Sequence, residues 1–362
     1  MTNREILVWL SVEDRIGPLK IVSLLKKIPE PEELLEMNGD ELKHLLGEKV
    51  GERFSDEIKD FKCNEYENEL KKKGIFIVTI YDEDYPALLR FIPDNPAVLF
   101  CIGDRTILSD EKKISIVGSR TPTVYGRETA YYFGKEFAGA GITVVSGMAL
   151  GIDAAAHTAA VENGGRTIAV LGSGVDVCYP ERNRKLYNSL IEKHLIISEN
   201  PPGTYPLTYT FPLRNRIISG LSEGVLIVEA REKSGSLITA DSALSQNRNV
   251  YAVPGRISDS LSKGTNKLIA EGAAAMTISP DDILFDYYGI YCEEKHGKNT
   301  VPSGLSEDEK MVMKVMGTDP IYVEDIAIKL GITVGRLLTL LIKLEKAGAI
   351  KQIDRGYYIL HP

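Results

Sequence analysis

Residues 114–174 read ISIVGSRTPTVYGRETAYYFGKEFAGAGITVVSGMALGIDAAAHTAAVENGGRTIAVLGSG. Three short apolar runs rich in β-branched residues, ISIVG (114–118), ITVVS (142–146) and TIAVLG (167–172), alternate with stretches of helical spacing at 126–139 and 152–163. A run that is apolar at successive positions, not at every second one, suits a strand covered on both faces. Strand–helix–strand alternation then builds a parallel sheet with helices on either side. The same texture continues outward. IFIVTI (75–80), AVLFCIG (97–103), HLIIS (194–198), GVLIVEA (224–230) and NVYAV (249–253) are further candidate strands, with helix-like segments at 182–190, 213–221, 236–246 and 264–271. The expected fold class is α/β, with an open, doubly wound sheet over residues 76–287. Ligands of such sheets lie beyond the carboxyl ends of the strands, near the point where the strand order reverses. The loops that follow the strands are therefore the place to look for function.

Both flanks differ in texture. Residues 1–75 suggest a small helical domain, in which Ile16-Gly17-Pro18 ahead of LKIVSLLKKI resembles the turn of a helix-hairpin-helix. Residues 288–303 are polar, contain Gly and Pro, and suggest a linker. Residues 304–362 suggest helices at 306–316, 322–330 and 333–347, a turn at Gly331, and two short strands about Asp354-Arg355-Gly356, a winged-helix-like domain. At 362 residues, 43% hydrophobic and 26% charged, the chain has ample core for a soluble protein. No apolar run nears the roughly 18 residues of a membrane span, and the charged opening MTNREILVWLSVEDR is unlike a signal peptide. Cys63, Cys101, Cys178 and Cys292 lie far apart with no C-x-x-C pair, which suits a reducing cytoplasm and argues against a zinc site. The net charge of −8 excludes a globally basic nucleic-acid binder. Most of it comes from residues 1–113, with 17 Lys/Arg against 24 Asp/Glu; residues 114–287 carry 16 against 17. A polyanion site must therefore come from a few focused cations.

Gly118-Ser119-Arg120-Thr121-Pro122 follows the first quoted strand and leads into a helix near Tyr125-Gly126-Arg127. Backbone N–H groups at such a turn face an anion at the positive end of the helix, and Arg120 adds a bidentate cation. The spacings of a P-loop and of a dinucleotide fingerprint are both absent. After the second strand, Gly147-Met148-Ala149-Leu150-Gly151-Ile152-Asp153 lets the backbone approach a ligand. Asp153 fits equally a site residue or a carboxylate at a helix start, and His157 fits a structural role. After the third strand, Tyr179-Pro180-Glu181-Arg182-Asn183-Arg184-Lys185 sets cations where a helix dipole disfavours them unless an anion arrives. Phe211-Pro212-Leu213-Arg214-Asn215-Arg216 opens another helix, Lys233-Ser234-Gly235-Ser236 the next, and Arg256 and Lys267 follow. Six loops thus offer Arg120, Arg184, Lys185, Arg214, Arg216, Lys233, Arg256 and Lys267 to one rim, a set suited to a polyanion. Tyr125, Tyr179, Tyr209 and Phe211 fit either stacking or sheet packing. There is no G-x-S-x-G elbow and no H-E-x-x-H. Asp153, Asp176 and Glu229 form no evident metal cluster. A binding rim with no catalytic residue, cofactor or metal is the expectation.

GSR (118–120), SGMALGID (146–153), YPERN (179–183), FPLRNRIISGLS (211–222), EA-x-x-KSGSLITA (229–240), VPG (253–255) and GTNKLI (264–269) together resemble the DNA-processing protein A (DprA/Smf) family. DYPALL (84–89) through Asn95-Pro96-Ala97-Val98-Leu99 fits the same family. The resemblance implies an extended Rossmann-like domain that binds single-stranded DNA, and a cytoplasmic homodimer without catalysis. It implies protection of incoming DNA and loading of the RecA recombinase during natural transformation. It places DNA contacts on Arg120 and on Arg184 or Lys185. The full expected DNA-binding set is Gly118, Ser119, Arg120, Gly147, Gly151, Arg184, Lys185, Arg214, Arg216, Lys233, Ser234, Gly235 and Ser236, of which Arg214, Arg216 and Lys233 come from the rim argument.

Two other readings compete. A nucleotide or nucleoside-phosphate hydrolase on a related Rossmann-like fold would resemble the lysine-decarboxylase-like phosphoribohydrolases, but their P-G-G-x-G-T-x-x-E motif is absent, and KSGSLITA has no Glu at that spacing. A duplex-DNA regulator would act through the winged helix. Its would-be recognition helix, ITVGRLLTLLIKLEKAG (332–348), is mostly apolar, whereas a major-groove reader presents several polar or basic side chains. A protein-interaction or accessory role is expected for that domain.

Overall fold

The structure is a computed structural model and describes residues 1–289, 305–316, 320–347 and 349–360. The chain divides into two compact units, Met1–Ile290 and Tyr291–Pro362. Five helices lead the first unit: α1 (Asn3–Val12), α2 (Pro18–Leu25), α3 (Gly39–Leu46), α4 (Glu48–Asp60) and α5 (Cys63–Lys72). Thr2 with Glu5, and Asn38 with Glu41, close capping boxes that satisfy the first N–H groups of α1 and α3. The sheet region follows in the order β1 (Ile75–Thr79), α6 (Ala87–Arg90), β2 (Val98–Gly103), β3 (Lys113–Val117), α7 (Val124–Gly139), β4 (Thr143–Ser146), α8 (Ile152–Glu162), β5 (Thr167–Leu171), α9 (Arg184–Lys193), β6 (Leu195–Ser198), α10 (Thr210–Gly220), β7 (Gly224–Ile227), α11 (Gly235–Ser245), β8 (Asn249–Ala252), α12 (Lys263–Ala270), β9 (Ala275–Met276) and α13 (Pro280–Tyr288).

Among the described residues, the nine strands of this unit form one sheet in the order β1-β2-β6-β5-β4-β3-β7-β8-β9. The seven strands from β6 to β9 in that order are parallel, while β2 pairs antiparallel with β6 and β1 antiparallel with β2. From β3 the chain winds one way through β4, β5 and β6, then returns to β7 on the other flank of β3 and winds outward through β8. The reversal between β3 and β7 is the switch point of a doubly wound sheet. This is the extended Rossmann-like α/β fold, and the antiparallel β1–β2 pair is its extension.

Strand side chains alternate between two cores. Phe100, Ile102, Ala169, Leu171 and Ile196 lie in one core with α1 to α5 and α9. Leu99, Cys101, Ile168, Val170 and Ile197 lie in the other with α6, α10, α11 and α12. The helices of residues 1–75 therefore share a core with the sheet and do not form a body of their own. Trp9 meets Phe54 edge to face, with centroids 5.2 Å apart, worth roughly 0.5–1.5 kcal/mol beyond burial. Arg4 bridges Glu67 at 2.6 Å and Asp82 at 3.0 Å, tying α1 to α5 and to the turn after β1. Periodicity does not single out α6 or β9, which have four and two residues. Helix α13, which the sequence reading does not single out, opens on a Ser279–Asp282 capping box with Pro280 in its first turn. No helix among the described residues is long and apolar enough to cross a membrane.

The second unit holds α14 (Glu307–Val315), β10 (Ile321–Tyr322), α15 (Val323–Leu330), α16 (Val334–Lys346), β11 (Ile350–Asp354) and β12 (Tyr357–Leu360). Its strands pair in the order β10-β12-β11. Gly331, at φ 65°, ends α15, and Gly356, at φ 80°, turns β11 into β12; both angles favour glycine. Leu337, Leu341 and Leu344 of α16 pack on Val312, Ile326 and Ile350. The arrangement is a winged helix. Of the linker expected over 288–303, Tyr288 closes α13 and Gly289 caps it; residues 290–303 lie outside the described residues.

His157 on α8 is wholly buried. The Thr167 hydroxyl donates to the Val144 carbonyl at 2.7 Å, so His157 Nδ1 must be the donor in its 2.7 Å contact with Thr167 Oγ1. Nε2 is left bare and without a partner. Burial, with smaller contributions from His194 and Arg214, pushes the His157 pKa from 6.5 down to about 3. As pH falls below about 6.5 the unfolded chain takes up this proton and the folded chain does not. Stability present above that pH is lost towards pH 3 at about 1.4 kcal/mol per pH unit. His157→Gln is expected to flatten the decline in unfolding free energy between pH 7 and pH 5, measured by urea titration. Equal slopes for variant and parent would contradict a buried neutral ring.

Candidate nucleic-acid interface

The loops after β3, β4 and β5 emerge side by side at the carboxyl edge of the sheet, because these strands are parallel neighbours. The loop after β4 is the centre of the arrangement. Asp153, in the first turn of α8, accepts hydrogen bonds from Gly147 N at 3.1 Å and Ala149 N at 3.4 Å. Asn183 donates to the carbonyls of Met148 at 2.8 Å and Ala149 at 3.3 Å. Met148 holds φ 60° with its side chain fully buried, a conformation costing on the order of 1–3 kcal/mol that persists only where the surroundings over-determine it. Asp153 and Asn183 supply that constraint. Gly151, at φ 82°, touches the neighbouring loop so closely that a Cβ would lie 2.4 Å from the Ser119 carbonyl oxygen. Ile152 N donates to that same oxygen at 3.1 Å. The loops after β3 and β4 are thereby locked together.

Arg214 does not reach the rim. Its guanidinium is buried beneath Gly147, donating through Nη1 to the carbonyls of Gly147, at 2.8 Å, and Val170. A Cβ at Gly147 would meet the guanidinium at 2.7 Å. Burial pulls Arg214 down to about 10, with Asp153 opposing the shift, and burial pushes the Asp153 carboxyl up, with Arg214 opposing. Arg216 is corrected likewise: it is buried and pairs with Glu199 at 2.6 Å and Asp94 at 3.2 Å. Both arginines sit in the first turns of α10, and an arginine there is as useful for tying strands together as for meeting a ligand. Sequence spacing does not separate the two.

The other expected cations are exposed. The Arg120 guanidinium lies over the ring of Phe211, 5.3 Å from its centroid. Phe211 in turn stacks obliquely on Tyr179, with centroids 5.5 Å apart at 33°. Tyr179 is 42% exposed, Tyr209 62% and Tyr205 77%, so the tyrosines on either side of Phe211 are surface residues and not sheet packing. Arg184 pairs with Glu181 in the same turn, while Lys185 beside it is exposed. Lys233 is exposed ahead of α11; Ser234 caps that helix and contacts the buried Ser236 through its hydroxyl at 2.8 Å. The Gly235 carbonyl accepts from Asn215. Gly118 is a close-approach glycine, where a Cβ would lie 2.8 Å from Ile152. Ser119 is buried, its hydroxyl accepting from Thr121 N. Lys267 pairs with Glu271.

Sequence reasoning missed the role of Glu229. From the end of β7 its carboxylate crosses the switch point to Thr123, accepting from the backbone N–H at 2.9 Å and from the hydroxyl. Thr123 is the N-cap of α7. The available signal was a Thr just ahead of a helix. Among the described residues no group of three or more His, Cys, Asp or Glu could hold a metal ion.

Removing the buried Arg214 guanidinium leaves the Gly147 and Val170 carbonyls unpaired and takes a nearby positive charge from Asp153. Arg214→Ala is expected to lower the unfolding free energy by about 2–6 kcal/mol, roughly 1–3 for each buried carbonyl left unsatisfied. A variant of unchanged stability that lost only oligonucleotide affinity would return Arg214 to the ligand-contacting set.

Comparison with known proteins agrees with this fold. Residues 76–287 match the family model of DNA recombination-mediator protein A, and residues 297–354 match that of the DprA winged helix domain. The chain is 47% identical over 211 residues to DNA processing protein DprA of Bacillus subtilis, covering 58% of this chain and 71% of that one. It is 37% identical over 294 residues to protein Smf of Escherichia coli, covering 80% and 78%. The X-ray structure of DNA processing protein A from Streptococcus pneumoniae superposes with a TM-score of 0.67 at 35% identity, over 78% of this chain and 97% of that one. A structure of DNA processing protein A from Helicobacter pylori, described for its single-stranded DNA binding mode, gives 0.53 at 30% identity, over 58% and 94%. The chain belongs to the DNA recombination-mediator protein A family, also named DprA or Smf.

Proposed function

We propose that this chain is a non-catalytic, single-stranded DNA-binding recombination mediator. It would protect incoming strands and load RecA during natural transformation, as a cytoplasmic homodimer. The observation that carries the DNA-binding reading is the ladder of Arg120 on Phe211 on Tyr179 at the carboxyl edge of the sheet. A guanidinium held on an aromatic face offers a phosphate contact and a stacking surface together, which is what an unpaired strand needs and a duplex does not. The single-stranded DNA binding mode of the H. pylori relative supports the same assignment. Lys185 is the partner cation we choose, since Arg184 is already engaged by Glu181. Against a nucleotide hydrolase stands Glu229: the N-terminus of α7, where a nucleotide phosphate would sit in a sheet of this kind, meets a carboxylate of the chain itself. The second unit supports an accessory role. The outward residues of α16 include Val334, Leu338 and Ile342, and Arg336 is paired with Asp308.

Fluorescence-anisotropy titration of oligothymidine and a matched duplex across a salt series tests this reading. Preference for the single strand is expected. Arg120→Ala is expected to cost roughly 1.5–3 kcal/mol of affinity and to reduce the salt slope by about 0.7. Phe211→Ala is expected to cost about 1–3 kcal/mol with the salt slope retained. Preference for duplex would overturn the assignment. So would unchanged affinity in both folded variants.

A further inference from the structure

We propose that Glu229 is a positioning residue for Arg120, an inference that rests on the single-strand reading above. Arg120 lies in a short loop between the end of β3 and the start of α7. The loop is pinned at its start, where Val228 N donates to the Val117 carbonyl at 3.1 Å, and in its middle, where Ile152 N donates to the Ser119 carbonyl. Its far end is pinned by the Glu229 carboxylate on Thr123 N and Oγ1, while Thr123 Oγ1 accepts from Gly126 N at 3.0 Å. Glu229 is itself held in place. It is 2% exposed, and its neighbours are fixed by Val228 N on Val117 and by Ala230 N on the Leu261 carbonyl at 2.7 Å. The space for it is made by Gly126, where a Cβ would lie 2.3 Å from the carboxylate carbon. A buried carboxylate reaching 106 residues back along the chain thus closes the loop that carries the exposed guanidinium. Without it the last turn of the loop and the first turn of α7 lose their shared anchor, and Arg120 must be ordered again each time a strand binds.

A double-mutant cycle tests this on the full chain with an oligothymidine probe. Glu229→Ala is expected to weaken binding by roughly 3- to 10-fold, the cost of re-ordering one rotamer-rich side chain, and to leave the double variant with Arg120→Ala no weaker than Arg120→Ala alone. Glu229→Gln, which keeps one acceptor for Thr123, is expected to recover part of the loss. Additive losses would overturn the inference, because Glu229 would then act independently of Arg120. Tighter binding by Glu229→Ala would also overturn it, since the carboxylate would then act by repelling the strand. Should Glu229→Ala fail to fold, Thr123→Val removes the hydroxyl contact at nearly constant size, and the same coupling to Arg120→Ala is expected. If Arg120→Ala has no effect, the positioning role falls with it, and if Phe211→Ala has none either, the single-strand site itself is wrong. If Arg120→Ala weakens binding and the Glu229 and Thr123 variants do not, only the positioning role falls.

Discussion

The buried Arg214 guanidinium, donating to the Gly147 and Val170 carbonyls, ties the loop after β4 to the end of β5 from below. Asp153 holds the same loop from α8, and Asn183 holds it from the segment ahead of α9. A left-handed Met148 survives only inside such a frame. The loop after β3 rests on this one through Gly151 and Ser119, so the placement of Arg120 depends on the buried Arg214 and Asp153 and the half-buried Asn183. Charges that look like ligands in a list of motifs are here the framework that holds one arginine exposed on the rim.

The switch point is where two requirements meet. In a doubly wound sheet the crevice between β3 and β7 favours an anion, because the N-terminus of the following helix faces it. In this chain the anion is internal. Glu229 satisfies the Thr123 N–H and hydroxyl, and Gly126 leaves room for its carboxylate. The favourable end of α7 is thus used for rigidity, and Arg120 with its aromatic neighbours is left exposed on the rim outside the crevice.

The strands and the doubly wound class were largely legible. Eight apolar runs fell on β1 to β8, because a strand buried on both faces must be apolar at nearly every position. Short pieces such as α6 and β9 escaped, since a handful of residues has no period to detect. Glycine loops at the strand ends were legible because close approach leaves no room for a side chain: Gly147 lies against the Arg214 guanidinium and Gly151 against the Ser119 backbone.

What the sequence could not decide was the direction in which each polar side chain points. Arg120, Arg214 and Arg216 look alike as arginines at helix starts after Gly, Phe or Pro, yet the fold exposes the first and buries the other two. The distinction rests on partners far away in the chain, Glu199 and Asp94 for Arg216 and the Gly147 carbonyl for Arg214. The chain alone determined the α/β class, the strand order's building blocks and the loops that could meet a polyanion, because these follow from local hydrophobic pattern and glycine placement. Only the tertiary structure decided which cations stay exposed on the rim and which are buried struts, because burial and pairing of a charge are properties of residues brought together from distant positions.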